Sequence, residues 1–181
     1  FRDNIDDPFS VGLYVNQGNT TISKNSFVGN KLALQINSSQ GVLSDNIFSA
    51  NTNALIVTGP SIPSMIGNSG DPSDTISLLG SVTVAGATTT LRANPMPYFL
   101  SGTVNVVANS VLDIFEGTII KNSINGAPSI LSVFGKLNID TSTSTGVIFS
   151  SNLAISIRES WLGIIMNSGS SSKIKGATIK D

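Results

Sequence analysis

The chain contains no cysteine and no histidine in 181 residues. Without cysteine there is no disulfide and no thiolate metal site. Without histidine the commonest general base and metal ligand are missing, and a His-based catalytic triad is impossible. Charge is scarce as well: Asp, Glu, Lys and Arg make up 12% of the residues, about half the usual share. The net charge of −1 offers no electrostatic reason to bind nucleic acid or an anionic membrane. Lys173, Lys175 and Lys180 form a mild basic cluster that reads as a solvated face. No apolar run approaches the ~20 residues that span a bilayer. Phe1 opens the sequence without the charged and apolar regions of a signal peptide, as a mature or trimmed extracellular chain would, or a small cytosolic domain, whose charge would usually be higher. No window carries an amphipathic helical pattern longer than two turns.

What fills the chain is apolar residues, at 40%, interleaved with Asn, Ser, Thr and Gly. Ample Val, Ile and Leu with low charge is the opposite of a disordered composition, and the length suffices for one domain with a core. The apolar residues recur at a fixed spacing. Leu13 and Val15 match Leu34 and Ile36, then Leu55 and Val57, at an offset of 21. Ile22 matches Leu43, Asn25 matches Asn46, Phe27 matches Phe48, and Asn30 matches Asn51. A period near 20 built from short alternating segments predicts a solenoid, each repeat being one coil stacked on the last.

Strands this short do not hold as hairpins in water. Stacked in register, each pairs with the coil above and below at the ~4.8 Å strand spacing. Leu13/Leu34/Leu55 and Val15/Ile36/Val57 then form inward columns, as do Phe27 and Phe48. Ile22 and Phe27 are an odd number of residues apart, so both point inward only if the chain turns between them, at Asn25. Asn tolerates left-handed backbone and satisfies turn amides. Asn25 and Asn46 are therefore expected to form a structural ladder, with Phe27 and Phe48 stacked inside.

Residues 1–66 carry the N-x-F type of coil, with Asp6-Asp7-Pro8 reading as an inserted loop and Asn68 one residue late for the Asn25/Asn46 row. Residues 67–79 form a longer turn region rich in Gly, Asn, Ser, Asp and Pro. Residues 80–181 continue in a second pattern: Gly80-Ser81-Val82-Thr83-Val84 is echoed by Gly102-Thr103-Val104-Asn105-Val106 and by Gly135-Lys136-Leu137-Asn138-Ile139. The expectation is a single all-β domain, a right-handed parallel β-helix of about seven to nine coils. Phe1-Arg2-Asp3-Asn4 fits the end of a unit, and Lys173–Ile179 stops without a polar cap. We therefore expect a fragment of a longer protein, with the solenoid continuing at one or both ends.

The first three units resemble the repeat of NosD-like and pectate-lyase-like right-handed β-helices, with its N-x-F turn. The second half is similar to β-helix segments of bacterial cell-surface proteins, in Tyr98–Val104, Leu112–Lys121, Leu131–Gly135, Ile148–Ser150, Trp161–Ile164 and Ile174–Ile179. The resemblance implies an extracellular or cell-surface location, with some relatives adhesins and others carbohydrate-active enzymes. It implies that an enzyme of this group would use Asp/Glu-bound Ca²⁺ with an Arg or Lys base, or clustered Asp carboxylates.

No such cluster is evident. The acids Asp3, Asp6, Asp7, Asp45, Asp71, Asp74, Asp113, Glu116, Asp140, Glu159 and Asp181 do not recur at the coil offset. Asp113, between Leu112 and Ile114, faces solvent, and Glu116 falls in a turn. Asp71-x-x-Asp74 lacks the dense oxygen ligands of a dedicated Ca²⁺ loop. Arg92 and Arg158 have no acidic constellation at a matching offset. Trp161, Tyr14 and Tyr98 are expected to pack in the core or at coil edges. Thr88-Thr89-Thr90 and Thr141-x-Thr143-x-Thr145 do not repeat between coils, so no flat Thr array follows. We therefore expect no catalytic residues, metal or cofactor. The expected function is a non-catalytic stalk or adhesive surface contacting glycans or other surface components. The alternative is part of a polysaccharide lyase or glycoside hydrolase whose active coils lie outside this stretch.

Overall fold

The computed structural model describes residues 1–3, 10–59, 62–71, 73–122, 128–142, 145–151 and 161–180. Asp6, Asp7, Pro8, Thr143, Arg158, Glu159 and Asp181 lie outside them, as does the side chain of Trp161. Among the described residues there are nineteen strands and no helix. The first coil comprises β1 (Val11–Gly18), β2 (Thr21–Ser23) and β3 (Ser26–Val28); the second, β4 (Leu32–Ser39), β5 (Val42–Ser44) and β6 (Ile47–Ser49). The third has β7 (Asn53–Thr58) and β8 (Ser64–Ile66), the fourth β9 (Ile76–Ser81) and β10 (Thr88–Leu91), and the fifth β11 (Tyr98–Val106) and β12 (Val111–Ile114). The sixth has β13 (Ile119–Asn122), β14 (Ser129–Val133) and β15 (Lys136–Asp140). The seventh has β16 (Val147–Ser150), β17 (Trp161–Met166) and β18 (Ser171–Lys175), and β19 (Ala177–Lys180) opens an eighth level.

Equivalent strands of successive coils pair in parallel, giving a long sheet in the order β1-β4-β7-β9-β11-β13-β16-β19. This is a parallel β-helix. Its spine is a column in which Leu13, Leu34, Leu55, Ile76, Tyr98, Ile120, Phe149 and Ile179 are successive register partners. From Leu34 to Phe149 each member is buried. The column explains why 40% apolar residues suffice: alternation sends every second strand residue inward, and stacking buries it from above and below. Phe1, Phe27 and Phe48 form a second column, with ring centroids 4.9 and 5.0 Å apart and planes within 10° and 8° of parallel.

The cross-section widens along the axis. Nine residues separate Leu13 from Ile22 and Leu34 from Leu43, ten separate Leu55 from Met65, and thirteen separate Ile76 from Thr89. The first added residue falls between β7 and β8 and the others between β9 and β10. As a result the small sheet β2-β5-β8 ends at the third coil, and a separate sheet, β10-β12-β15-β18, begins at the fourth. The long sheet also forks. The first half of β11 pairs with β13 and its second half with β14, with a register shift between Ser101 and Val104. Gly102 sits in that shift at φ 69°, a conformation that a side chain would strain.

The structure corrects three sequence expectations. Gly80 pairs with Val104, not with Gly102, because of the shift in β11. Gly135–Ile139 is not a third copy of that segment: β15 pairs with β12 and β18 on another face. Tyr14 does not pack inward. It is 52% exposed, because Leu13 and Val15 on either side take the inward positions. Tyr98 is buried, and its hydroxyl donates to the Arg92 carbonyl at 3.0 Å; burial pushes its pKa up to about 12.

Candidate functional site

The four residues singled out as a structural ladder meet across one coil step. Phe27 pairs with Phe48 in the β3–β6 register. The backbone N–H and Nδ2 of Asn25 both donate to Oδ1 of Asn46, at 3.0 and 3.1 Å. Asn46 repeats the pattern on Asn68, at 3.1 and 2.9 Å, so the late asparagine joins the row. A second ladder, missed in sequence, runs from Asn30 to Asn51 at 2.9 and 3.0 Å. It ends on buried Asp74, which accepts the backbone N–H of Asn51. The left-handed residue is not the asparagine but the one before it: Lys24 at φ 57°, Asp45 at 56°, Gly67 at 66°, Gly29 at 66° and Ala50 at 54°. These ladders are buried architecture and reach no ligand surface.

The surface site lies elsewhere, on the outer face of β10-β12-β15-β18. Inward positions there are held by Leu112, Ile114, Leu137 and Ile139, so alternation turns the residues between them outward. One outward row reads Thr90, Asp113, Asn138, Lys173 in register; beside it run Val111, Lys136 and Ser171, and Asp140 pairs with Lys175. Together Asp113, Ile114, Phe115, Lys136, Asn138, Asp140 and Lys173 line a groove of about 290 Å³. Asn138 donates to Asp113 at 2.8 Å, and the Lys173 ammonium contacts Asp140 at 2.5 Å. Phe115, 40% exposed, lies under the Arg92 guanidinium, 4.3 Å from the ring centroid.

The electrostatics of the groove are largely balanced within it. The hydrogen bond from Lys173, with the nearby Lys175 charge, holds the Asp140 carboxyl below the usual carboxylate range. A general acid needs the opposite, a proton retained near neutral pH. Chemically the groove offers an aromatic surface, an amide, two carboxylates and two ammonium groups on a rigid sheet. Those are the convergent polar groups with an apolar contact that small-molecule and sugar sites use.

Sequence reasoning placed Asp113 on the outside but missed its neighbours. Asp113 meets Asn138 at an offset of 25, and Asn138 meets Lys173 at 35, so no search at a constant period aligns them. Glu116 lies in a turn beyond β12 and does not line the groove. Asp71 and Asp74 form a local pair in which the Asp71 N–H donates to Asp74 at 3.2 Å. Among the described residues, no three acidic side chains come together as a metal cage. No protein-family model, curated protein or solved structure matches the chain.

Proposed function

We propose that the chain is a non-catalytic, extracellular or cell-surface β-solenoid segment, a rigid stalk whose β10-β12-β15-β18 groove contacts glycans. The observation that carries this reading is Phe115, an exposed aromatic ring held by Arg92 beside the Asp113–Asn138 pair. An aromatic face packs against the C–H face of a sugar, while the amide and carboxylate exchange hydrogen bonds with its hydroxyls. The surface supports weak, multivalent contact more than tight binding of a charged partner, because charged residues make up only 12% of the chain.

One observation favours the second reading, part of a polysaccharide lyase or glycoside hydrolase. Asp113 and Asp140 line the same groove, and glycosidases work with paired carboxylates. Lys173 stabilises the ionised form of Asp140, which disfavours Asp140 as the acid of such a pair and leaves it the base or nucleophile role. A glycan array probed with wild type, Phe115→Ala and Asn138→Ala tests the proposal. Retention of a set of oligosaccharides that both variants lose is the expected result. Equal retention by the Phe115→Ala variant, or none by wild type, would overturn it.

A further inference from the structure

A different part of the molecule carries an independent inference, at the step where the cross-section widens. Coils three and four are hydrogen-bonded through β7 and β9. On the opposite side they separate. β8 has β5 as its partner, β10 has β12, and neither pairs with the other. An internal strand edge is thus left open in the middle of the solenoid, beside a recess of about 230 Å³ lined by Gln40, Ile62, Ser64, Ala87 and the β10 threonines.

The hydrogen bonds identify which groups face that recess. The Ala87 and Leu91 carbonyls accept the N–H groups of Val111 and Phe115, toward β12. Alternation assigns Thr89 to the same side and leaves the N–H and C=O of both Thr88 and Thr90 aimed the other way. Among the described residues nothing in the fold bonds to them. Unpaired strand edges are usually blunted by charge, proline or a covering loop. Among the described residues the recess lining contains no charged residue and no proline, Pro63 standing between the lining residues Ile62 and Ser64.

We propose that this edge is a β-augmentation site: an uncharged, extended peptide segment of a partner protein enters the recess and adds to β10 as a parallel strand. Two observations select an extended peptide over other occupants. The exposed groups are two backbone donors and two backbone acceptors spaced two residues apart, the pattern another strand satisfies. The edge lies in a recess that Gln40, Ile62 and Ser64 of the neighbouring coils also line, a concave site and not an open flat edge. The neutral hydroxyl lining disfavours charged side chains, and β-branched or hydroxyl residues suit an added strand.

The test is titration of the ¹⁵N-labelled chain with a capped six-residue peptide of alternating valine and serine or threonine. The amides of Thr88 and Thr90 should shift and gain protection from hydrogen exchange, while those of Thr89 and Leu91 stay unchanged. Two further peptides, N-methylated at alternate amides, separate the two edges: one set should bind at least tenfold more weakly and the other as well as the parent. Thr90→Pro, which removes an N–H that no strand of the fold uses, should weaken binding while leaving the circular dichroism spectrum unchanged. The proposal fails if Thr88 and Thr90 do not respond at millimolar peptide, or if both methylated peptides bind like the parent. It also fails if a neutral oligosaccharide shifts these amides and the peptide does not.

Discussion

Oδ1 of Asn46 accepts two hydrogen bonds from Asn25, one coil away, from the backbone N–H at 3.0 Å and from Nδ2 at 3.1 Å. Asn46 also donates to the Ile22 carbonyl at 2.8 Å and to Oδ1 of Asn68, and it is fully buried. Removing it strands donors and acceptors on three sides. Asn46→Ala should therefore lower stability by about 1–3 kcal/mol through the groups left without partners. Asn16→Ala, at the exposed rim where Asn16 accepts from Asn37, should stay within about 0.5 kcal/mol. Urea unfolding of the two variants beside wild type checks the contrast; equal losses would remove the ladder from the account.

Phe48 stacks on Phe27, which stacks on Phe1. Phe48→Ala opens a cavity inside the column and should cost roughly 3–5 kcal/mol. Phe48→Leu keeps most of the volume and should recover at least half of that loss. Thermal melts of both variants measure the difference, and an unchanged melting temperature for the alanine variant contradicts the stacked register.

Asp74 occupies the position where another asparagine would extend the Asn30–Asn51 ladder. It is 1% exposed, and burial raises its pKa above the ordinary carboxylate value, with the Asp71 charge adding to the effect and the Asp71 and Asn51 N–H groups opposing it. A raised pKa in the folded state contributes stability that is full below the unfolded value and is lost as pH rises through the folded one. Asp74→Asn keeps the acceptor without the buried charge. It should raise the melting temperature at pH 7, with the gain shrinking to nothing as pH falls below about 4. A gain of the same size at both pH values would show that the charge is not the cause.

Lys173 accounts for the low titration of Asp140. Lys173→Met should move the Asp140 carboxyl upward toward its ordinary value, followed by NMR of the side-chain carboxyl carbon. Both side chains are at least half exposed, so the melting temperature should hardly change. An unmoved titration would mean that the pair does not persist in solution.

The spine of the fold was legible from Leu13, Leu34 and Leu55 because those coils differ by a constant 21 residues. It remained legible through the slip at Asn68, because the extra residue enters between β7 and β8, ahead of Ser64, and Asn46 still reaches its partner. The groove was not legible. Thr90, Asp113, Asn138 and Lys173 are one row in space, yet their spacings are 23, 25 and 35 residues, because turns of unequal length lie between the strands. Local alternation shows that Asp113 points outward; it says nothing about which residue stands beside it one coil later. Asn30 and Asn51 align at 21 residues, but the end of their ladder was hidden. Asp74 replaces the asparagine that the pattern calls for, so its part in the row emerges from the hydrogen bond to Asn51 and not from residue identity.

The most direct test of the central claim, a groove that binds glycans without cutting them, is chain-length analysis of an array-selected oligosaccharide after prolonged incubation with the purified chain. The account predicts that wild type retains the oligosaccharide, that Phe115→Ala does not, and that its length and reducing-end count are unchanged in both. Progressive shortening by wild type that disappears in Asp113→Asn or Asp140→Asn would contradict the account and make the groove a catalytic site.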